Sequence, residues 1–157
     1  MKGISVERNI IAGKIYKDLK GAIKNNDKPR ISALRMLLSA LKNAELEERE
    51  ELVEEQEMAV LASYAKRCRE SIEEFRKGGR DDLIAKEVAE LEVVMSYLPE
   101  QMNEEEITEK SKEVIAELEA AGPRDIGRVM GEMMKRFRGR VDGKTVNRIV
   151  SDLLRKG

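Results

Sequence analysis

The 157-residue chain carries 30 Lys or Arg against 31 Asp or Glu, a formal charge of −1, with 41% apolar residues, no histidine and one cysteine. That balance describes a globular chain of one or two domains and excludes a disordered polyelectrolyte and a disulfide scaffold. No run approaches the roughly 18 to 20 apolar residues that a membrane span requires, and the first twenty residues lack a signal-peptide pattern, so a cytosolic protein is expected.

The apolar spacing is helical nearly throughout, no segment alternates as a strand would, and the chain reads as all-α. A first helix is predicted from about Ser5 to Asn25, with Ile11, Ile15, Leu19 and Ala22 inward and Lys14, Lys17, Lys20 and Lys24 opposite. Asn25-Asn26-Asp27-Lys28-Pro29 breaks it. A second helix runs from Pro29 to about Glu47 on the stripe Ile31, Leu34, Leu38 and Leu41. The third, about Glu54 to Lys77, places Met58, Leu61, Ala65, Cys68, Ile72 and Phe75 at steps of three and four and ends at Gly78-Gly79, where left-handed backbone is allowed. Asp81-Asp82 open a fourth helix lined by Ile84, Val88, Leu91, Met95 and Leu98, which Pro99 closes. Asn103 with Glu106 forms a capping box for a fifth helix on Ile107, Ser111, Val114, Leu118 and Ala121. Two short helices follow, about Asp125 to Arg138 and Asp142 to Arg155. The predicted organisation is a bundle of four helices over residues 1–98 and a three-helix domain over 99–157. A piece of about 60 residues is marginal alone, so it is expected to lean on the first domain or to move on a short hinge.

Recognisable catalytic chemistry is missing. Without histidine, a Ser-His-Asp or Cys-His nucleophile and a His-bearing metal site are excluded, and one cysteine excludes a Cys-rich site. Cys68, in an apolar stripe, reads as a packing residue. The acidic runs Glu45 to Glu57 and Glu104 to Glu106 read as solvated helix surface rather than Mg²⁺ ligands, and Gly78-Gly79 lacks the Lys-Ser or Lys-Thr ending of a phosphate loop. No catalytic residue, metal or cofactor is assigned.

Charge is unevenly distributed. Residues 1–43 hold ten basic and three acidic side chains, residues 44–122 ten and twenty-four, and residues 123–157 ten and four. Clustered Lys and Arg raise the potential that attracts polyanions. On the last two helices, Arg124, Arg128 and Lys135 lie opposite Ile126, Met130, Met133 and Phe137, and Lys144, Arg148 and Arg155 lie opposite Val146, Ile149 and Leu153. Arg136, Arg138 and Arg140 surround Gly139 between them, and Asp142 can cap the final helix, whose N–H groups could otherwise receive a phosphate oxygen. The tail therefore reads as a basic helix-turn-helix surface without compensating acids. Met130, Met133 and Met134 suit core packing or an adaptable groove.

RISALRMLLSALKNAELE at Arg30 to Glu47, RCRESIEEFRKGGRDDL at Arg67 to Leu83, YLPEQMNEEEI at Tyr97 to Ile107 and DIGRVMGEMMKRFRGRVDGKTVNRIVSDLL at Asp125 to Leu154 resemble the YqeY family of small bacterial proteins. That family in turn is similar to the C-terminal portion of GatB, a subunit of the glutamine-dependent tRNA amidotransferase. The block from Met130 to Leu154 is similar to that subunit's closing helices. The resemblance implies a tRNA- or structured-RNA-binding accessory protein related to the non-catalytic tail. A label of carbon-nitrogen ligase with glutamine as amide donor overstates these residues, because the amidotransferase's catalytic domains have no counterpart here. The RNA-contacting positions implied are Lys135, Arg136, Arg138, Arg140, Lys144, Asn147 and Arg148. The alternative is a helical adaptor docking on an amidotransferase subunit or an aminoacyl-tRNA synthetase.

Overall fold

The structure, a computed structural model, describes residues 7–156. Among these it contains seven α-helices: α1 Ile10–Lys24, α2 Lys28–Glu48, α3 Glu54–Lys77, α4 Asp81–Met95, α5 Glu104–Leu118, α6 Ile126–Arg136 and α7 Gly143–Lys156. A 3₁₀ turn, Pro123–Asp125, precedes α6. The described residues form no strand; one isolated antiparallel bridge joins Arg8 to Val53. The chain is all-α, as its periodicity predicts. Contacts divide it into two compact units, one ending at Leu98 and one beginning at Pro99.

The first unit packs α1 to α4 around Ile15, Leu34, Leu37, Leu61, Ala65 and Val94, with Cys68 beside them in the buried stripe of α3. The predicted start of the first helix, Ser5, lies outside the described residues. The helix seen there begins at Ile10, after Asn9 turns the chain with a left-handed φ of 56° and offers no side-chain cap. The cap comes from elsewhere. Glu57, with 0% exposure, projects from α3 and accepts the backbone N–H groups of Ile11 at 3.0 Å and Ala12 at 2.8 Å. A carboxylate on the positive end of α1 satisfies donors that the left-handed Asn9 leaves open. This corrects the reading of Glu45 to Glu57 as solvated throughout: the run ends on a buried residue because a helix N-terminus needs an acceptor there.

α2 is capped by Asp27, whose Oδ1 accepts the Arg30 N–H at 3.3 Å. Gly79 takes φ 68° after α3, the conformation that the Gly-Gly pair predicts. In α4 the expected stripe holds in part: Leu91, Met95 and Leu98 pack against the core, whereas Val88 is 37% exposed and Val94, outside that stripe, is fully buried. With Ile84, Val88, Leu91, Val93, Val94 and Met95 on one helix, apolar residues cover more than one face, so spacing alone admits two orientations.

In the second unit, Met102, Ile107, Val114, Val129, Met133, Val146, Val150 and Leu154 form the core of α5, α6 and α7. The capping box is present in both directions: Asn103 Oδ1 accepts the Glu106 N–H at 2.8 Å, and Glu106 Oε1 accepts the Asn103 N–H at 3.4 Å. α5 ends at Leu118, where Glu119 adopts φ 53°, so Ala121 lies beyond the helix and is exposed rather than inward. α6 stops at Arg136, two residues before its predicted end, because Gly139 reverses the chain at φ 78°.

Candidate nucleic-acid interface

The turn from Phe137 to Asp142 joins α6 to α7, and residues 100–102 pin it. Met102 donates its N–H to the Arg140 carbonyl at 2.9 Å, Gln101 Nε2 donates to the Gly139 carbonyl at 2.6 Å, and Arg140 Nε donates to the Glu100 carbonyl at 2.9 Å. Asp142 Oδ2 accepts the Thr145 N–H at 3.3 Å and its hydroxyl at 3.0 Å, so α7 starts with its own carboxylate cap. That carboxylate stands where a phosphate oxygen would otherwise sit.

Within this frame the seven predicted contact residues divide. Lys135, in the last turn of α6, and Lys144, in the first turn of α7, are exposed and make no hydrogen bond or ion pair among the described residues. Arg138 is exposed on the turn. Arg140 is half-buried and acts as part of the clamp. Asn147 accepts the Ser151 hydroxyl at 2.9 Å. Arg136 donates to Glu132 at 2.8 Å and to Glu117 at 2.5 Å, and Arg148 donates to Glu104. These pairs raise both guanidinium pKa values, and the Arg136 hydrogen bond lowers that of Glu117.

The tail is therefore not free of compensating acids. Glu104 and Glu117 lie on α5, 44 and 19 residues before their partners. Counted from residue 99 to 157, the second unit has twelve basic and twelve acidic side chains. Folding brings part of the acidic middle segment onto the basic tail, which leaves local cation geometry rather than net charge to attract an anion.

A second basic surface lies on the first unit. Between residues 9 and 44 the only acids are Asp18 and Asp27. Asp18 accepts the Tyr97 hydroxyl, while Asp27 caps α2. Burial, helped by Asp18, raises the Tyr97 pKa. Lys14, Lys17, Lys20, Lys24, Lys28 and Arg35 are exposed without hydrogen-bonded or ion-paired partners among the described residues. The charge count of residues 1–43, ten basic against three acidic side chains, signals this surface.

Cys68, Glu87 and Glu90 bring a sulfur and two carboxylates within 4.8 Å of one another. Burial first, then Glu87, pushes the thiol up to about 12. It therefore keeps its proton at neutral pH, the reverse of the environment that activates a nucleophilic thiolate. Tyr64, also raised chiefly by burial, donates to Glu90 at 3.2 Å. Sequence placed Cys68 in the packed stripe; the two α4 carboxylates beside it were not visible from spacing. No helix among the described residues is long and apolar enough to cross a membrane.

Fold and surfaces together define an all-helical protein laid out as charged helix faces with grooves between helices. The chain belongs to the YqeY-like protein family, whose model matches residues 12–154. It is 31% identical over 153 residues to "Altered inheritance of mitochondria protein 41, mitochondrial" of Pyrenophora tritici-repentis, a match covering 96% of this chain and 84% of that protein. The like-named protein of Lachancea thermotolerans is 35% identical over 114 residues, covering 69% of this chain and 60% of that protein's length. That of Saccharomyces cerevisiae strain YJM789 is 31% identical over 122 residues, covering 74% and 66%. These relatives correct the expected compartment and leave the bacterial assignment unsupported. They are named as mitochondrial proteins, which points to mitochondria rather than the cytosol, and they are eukaryotic, so they lend no support to a bacterial assignment. The cytosolic reading rests on the lack of a membrane-length apolar run and of a secretory signal pattern, and neither distinguishes these compartments.

Proposed function

We propose that this protein is a non-catalytic accessory that binds tRNA or another structured RNA by its phosphates, through the turn between α6 and α7. The observation that carries the reading is the pinned turn itself: Arg138 projects from a backbone fixed by residues 100–102, with the unpartnered Lys135 and Lys144 at the helix ends beside it. Preorganised cations lose little freedom on contact with a phosphate. Arg136 and Arg148 join them by exchange, because exposed ion pairs are weak in water and a phosphate can take over from Glu117 or Glu104. The resemblance of Met130 to Leu154 to the amidotransferase tail supports the same reading. Recognition is of shape and phosphates, since Phe137 is the one aromatic residue of the second unit and is half-buried. As part of this reading, the four helices up to residue 98 and the three from residue 99 are separate domains, and the second carries the RNA contact.

The experiment is binding of a fluorescent tRNA pool to the full chain and to the triple variant Lys135→Ala, Arg138→Ala, Lys144→Ala. The variant is expected to bind at least tenfold more weakly while keeping its helical circular dichroism, because surface substitutions usually change stability by no more than about 0.5 kcal/mol. Equal affinity would move the contact elsewhere.

A further inference from the structure

We infer that the groove between the C-terminal end of α1 and the first turns of α2 is a docking site for an acidic protein segment carrying an apolar anchor residue. The groove has a volume of about 480 Å³, with Ile23, Ile31 and Met36 as its apolar lining and Lys28 and Arg35 as its cations; no acidic side chain lines it. Two of the lining residues are unusually open for their type: Ile23 is 50% exposed and Met36 48%. Lys20 and Lys24 on α1 extend the cationic margin, and both are exposed.

Charge complementarity identifies the occupant. The acids of this stretch are engaged elsewhere, Asp18 by the Tyr97 hydroxyl and Asp27 by the start of α2, so the cations around the groove have no counter-charge of their own. A carboxylate-bearing segment supplies that charge, and one leucine- or phenylalanine-sized side chain covers Ile23 and Met36. An apolar anchor in a pocket with charges at its rim is the usual division of labour in a protein interface. An RNA strand suits the groove poorly, because no aromatic ring lines it for base stacking. A membrane surface suits it less well than a peptide, since the apolar side chains line a recess between helices instead of forming one continuous helix face. This surface is in the first unit and does not depend on the RNA-binding turn.

The test is selection of peptides from a random phage-displayed 12-mer library on the immobilised full chain, followed by affinity measurement on Lys28→Glu/Arg35→Glu and on Met36→Ser. The expected peptides place Asp or Glu on both sides of one apolar residue. Reversing two rim charges replaces attraction with repulsion and is expected to weaken them at least tenfold, and Met36→Ser several-fold. Circular dichroism confirms that the exposed substitutions leave the helices intact. Neutral or basic peptides, or affinity within twofold of the unsubstituted chain on the double reversal, overturn the inference. So does an absence of selected peptides while the same double reversal abolishes binding to phosphatidylserine vesicles or to tRNA, which assigns the face to lipid or RNA.

Discussion

Glu57 gives the most direct test of how the first unit is held together. Its carboxylate is the acceptor for two backbone donors at the start of α1, in a position with no solvent access. Glu57→Leu introduces an apolar side chain of similar volume and leaves the Ile11 and Ala12 N–H groups unpaired. An unsatisfied buried donor costs about 1–3 kcal/mol, and the lost interaction with the helix dipole adds up to about 1 kcal/mol. Because the Ala12 donor is only partly buried, a total of about 2–4 kcal/mol is expected. Glu57→Gln retains one acceptor oxygen and should cost about half as much. Urea unfolding followed by tyrosine fluorescence reads this unit selectively, because Tyr16, Tyr64 and Tyr97 all precede residue 99. The midpoint should fall with little change in slope, in the order Gln then Leu. If the two units unfold separately, a portion of the helical circular dichroism transition stays in place. A Glu57→Leu variant as stable as the unsubstituted chain would refute the assignment of this carboxylate as the cap of α1.

Three other outcomes follow from the described contacts. Glu104→Gln with Glu117→Gln releases Arg148 and Arg136, so RNA affinity should rise at low salt and the slope of log K against log salt should steepen by about 0.7–0.9 for each arginine recruited; an unchanged slope excludes them from the contact. Gly139→Ala forces a Cβ into φ 78° and should destabilise the second unit by about 1–2 kcal/mol in chemical unfolding while leaving the tyrosine signal of the first unit unmoved. In alkali, the folded Cys68 thiol keeps its proton to about pH 12 whereas the unfolded thiol ionises near its ordinary value of 9.0, so the unfolded state binds fewer protons and stability falls as pH rises through that window. Tyr64 and Tyr97, raised in the same direction, add to the fall. Melting temperatures should therefore decline above about pH 9, less steeply in Cys68→Ala, and parallel curves would contradict the burial argument.

How much of this was legible in the sequence depended on how local each interaction is. α3 has the bounds its pattern predicts, because a single apolar stripe fixes its face and two glycines fix its end. The Asn103–Glu106 box is readable for the same reason: both partners lie within one helical turn. The face of α4 was readable only in part, since apolar residues cover more than one side of it. Nor was Glu57, which belongs to an acidic run in sequence but meets donors 46 and 45 residues earlier. At the candidate site, exposure of Lys135 and Lys144 followed from the helical wheel, whereas the pairing of Arg136 and Arg148 depended on where α5 packs. Arg140 shows the same limit: its carbonyl and guanidinium engage residues 100–102, a relation that residue type alone does not reveal.

The central claim is tested most directly by a salt titration of the full chain against a pool of cellular tRNA, with double-stranded DNA of equal charge as competitor. Neutralisation of about four to six phosphates predicts an affinity that falls by orders of magnitude between low and moderately high salt, and a preference for tRNA over the duplex. No binding at low salt, or binding indifferent to salt, would contradict the account.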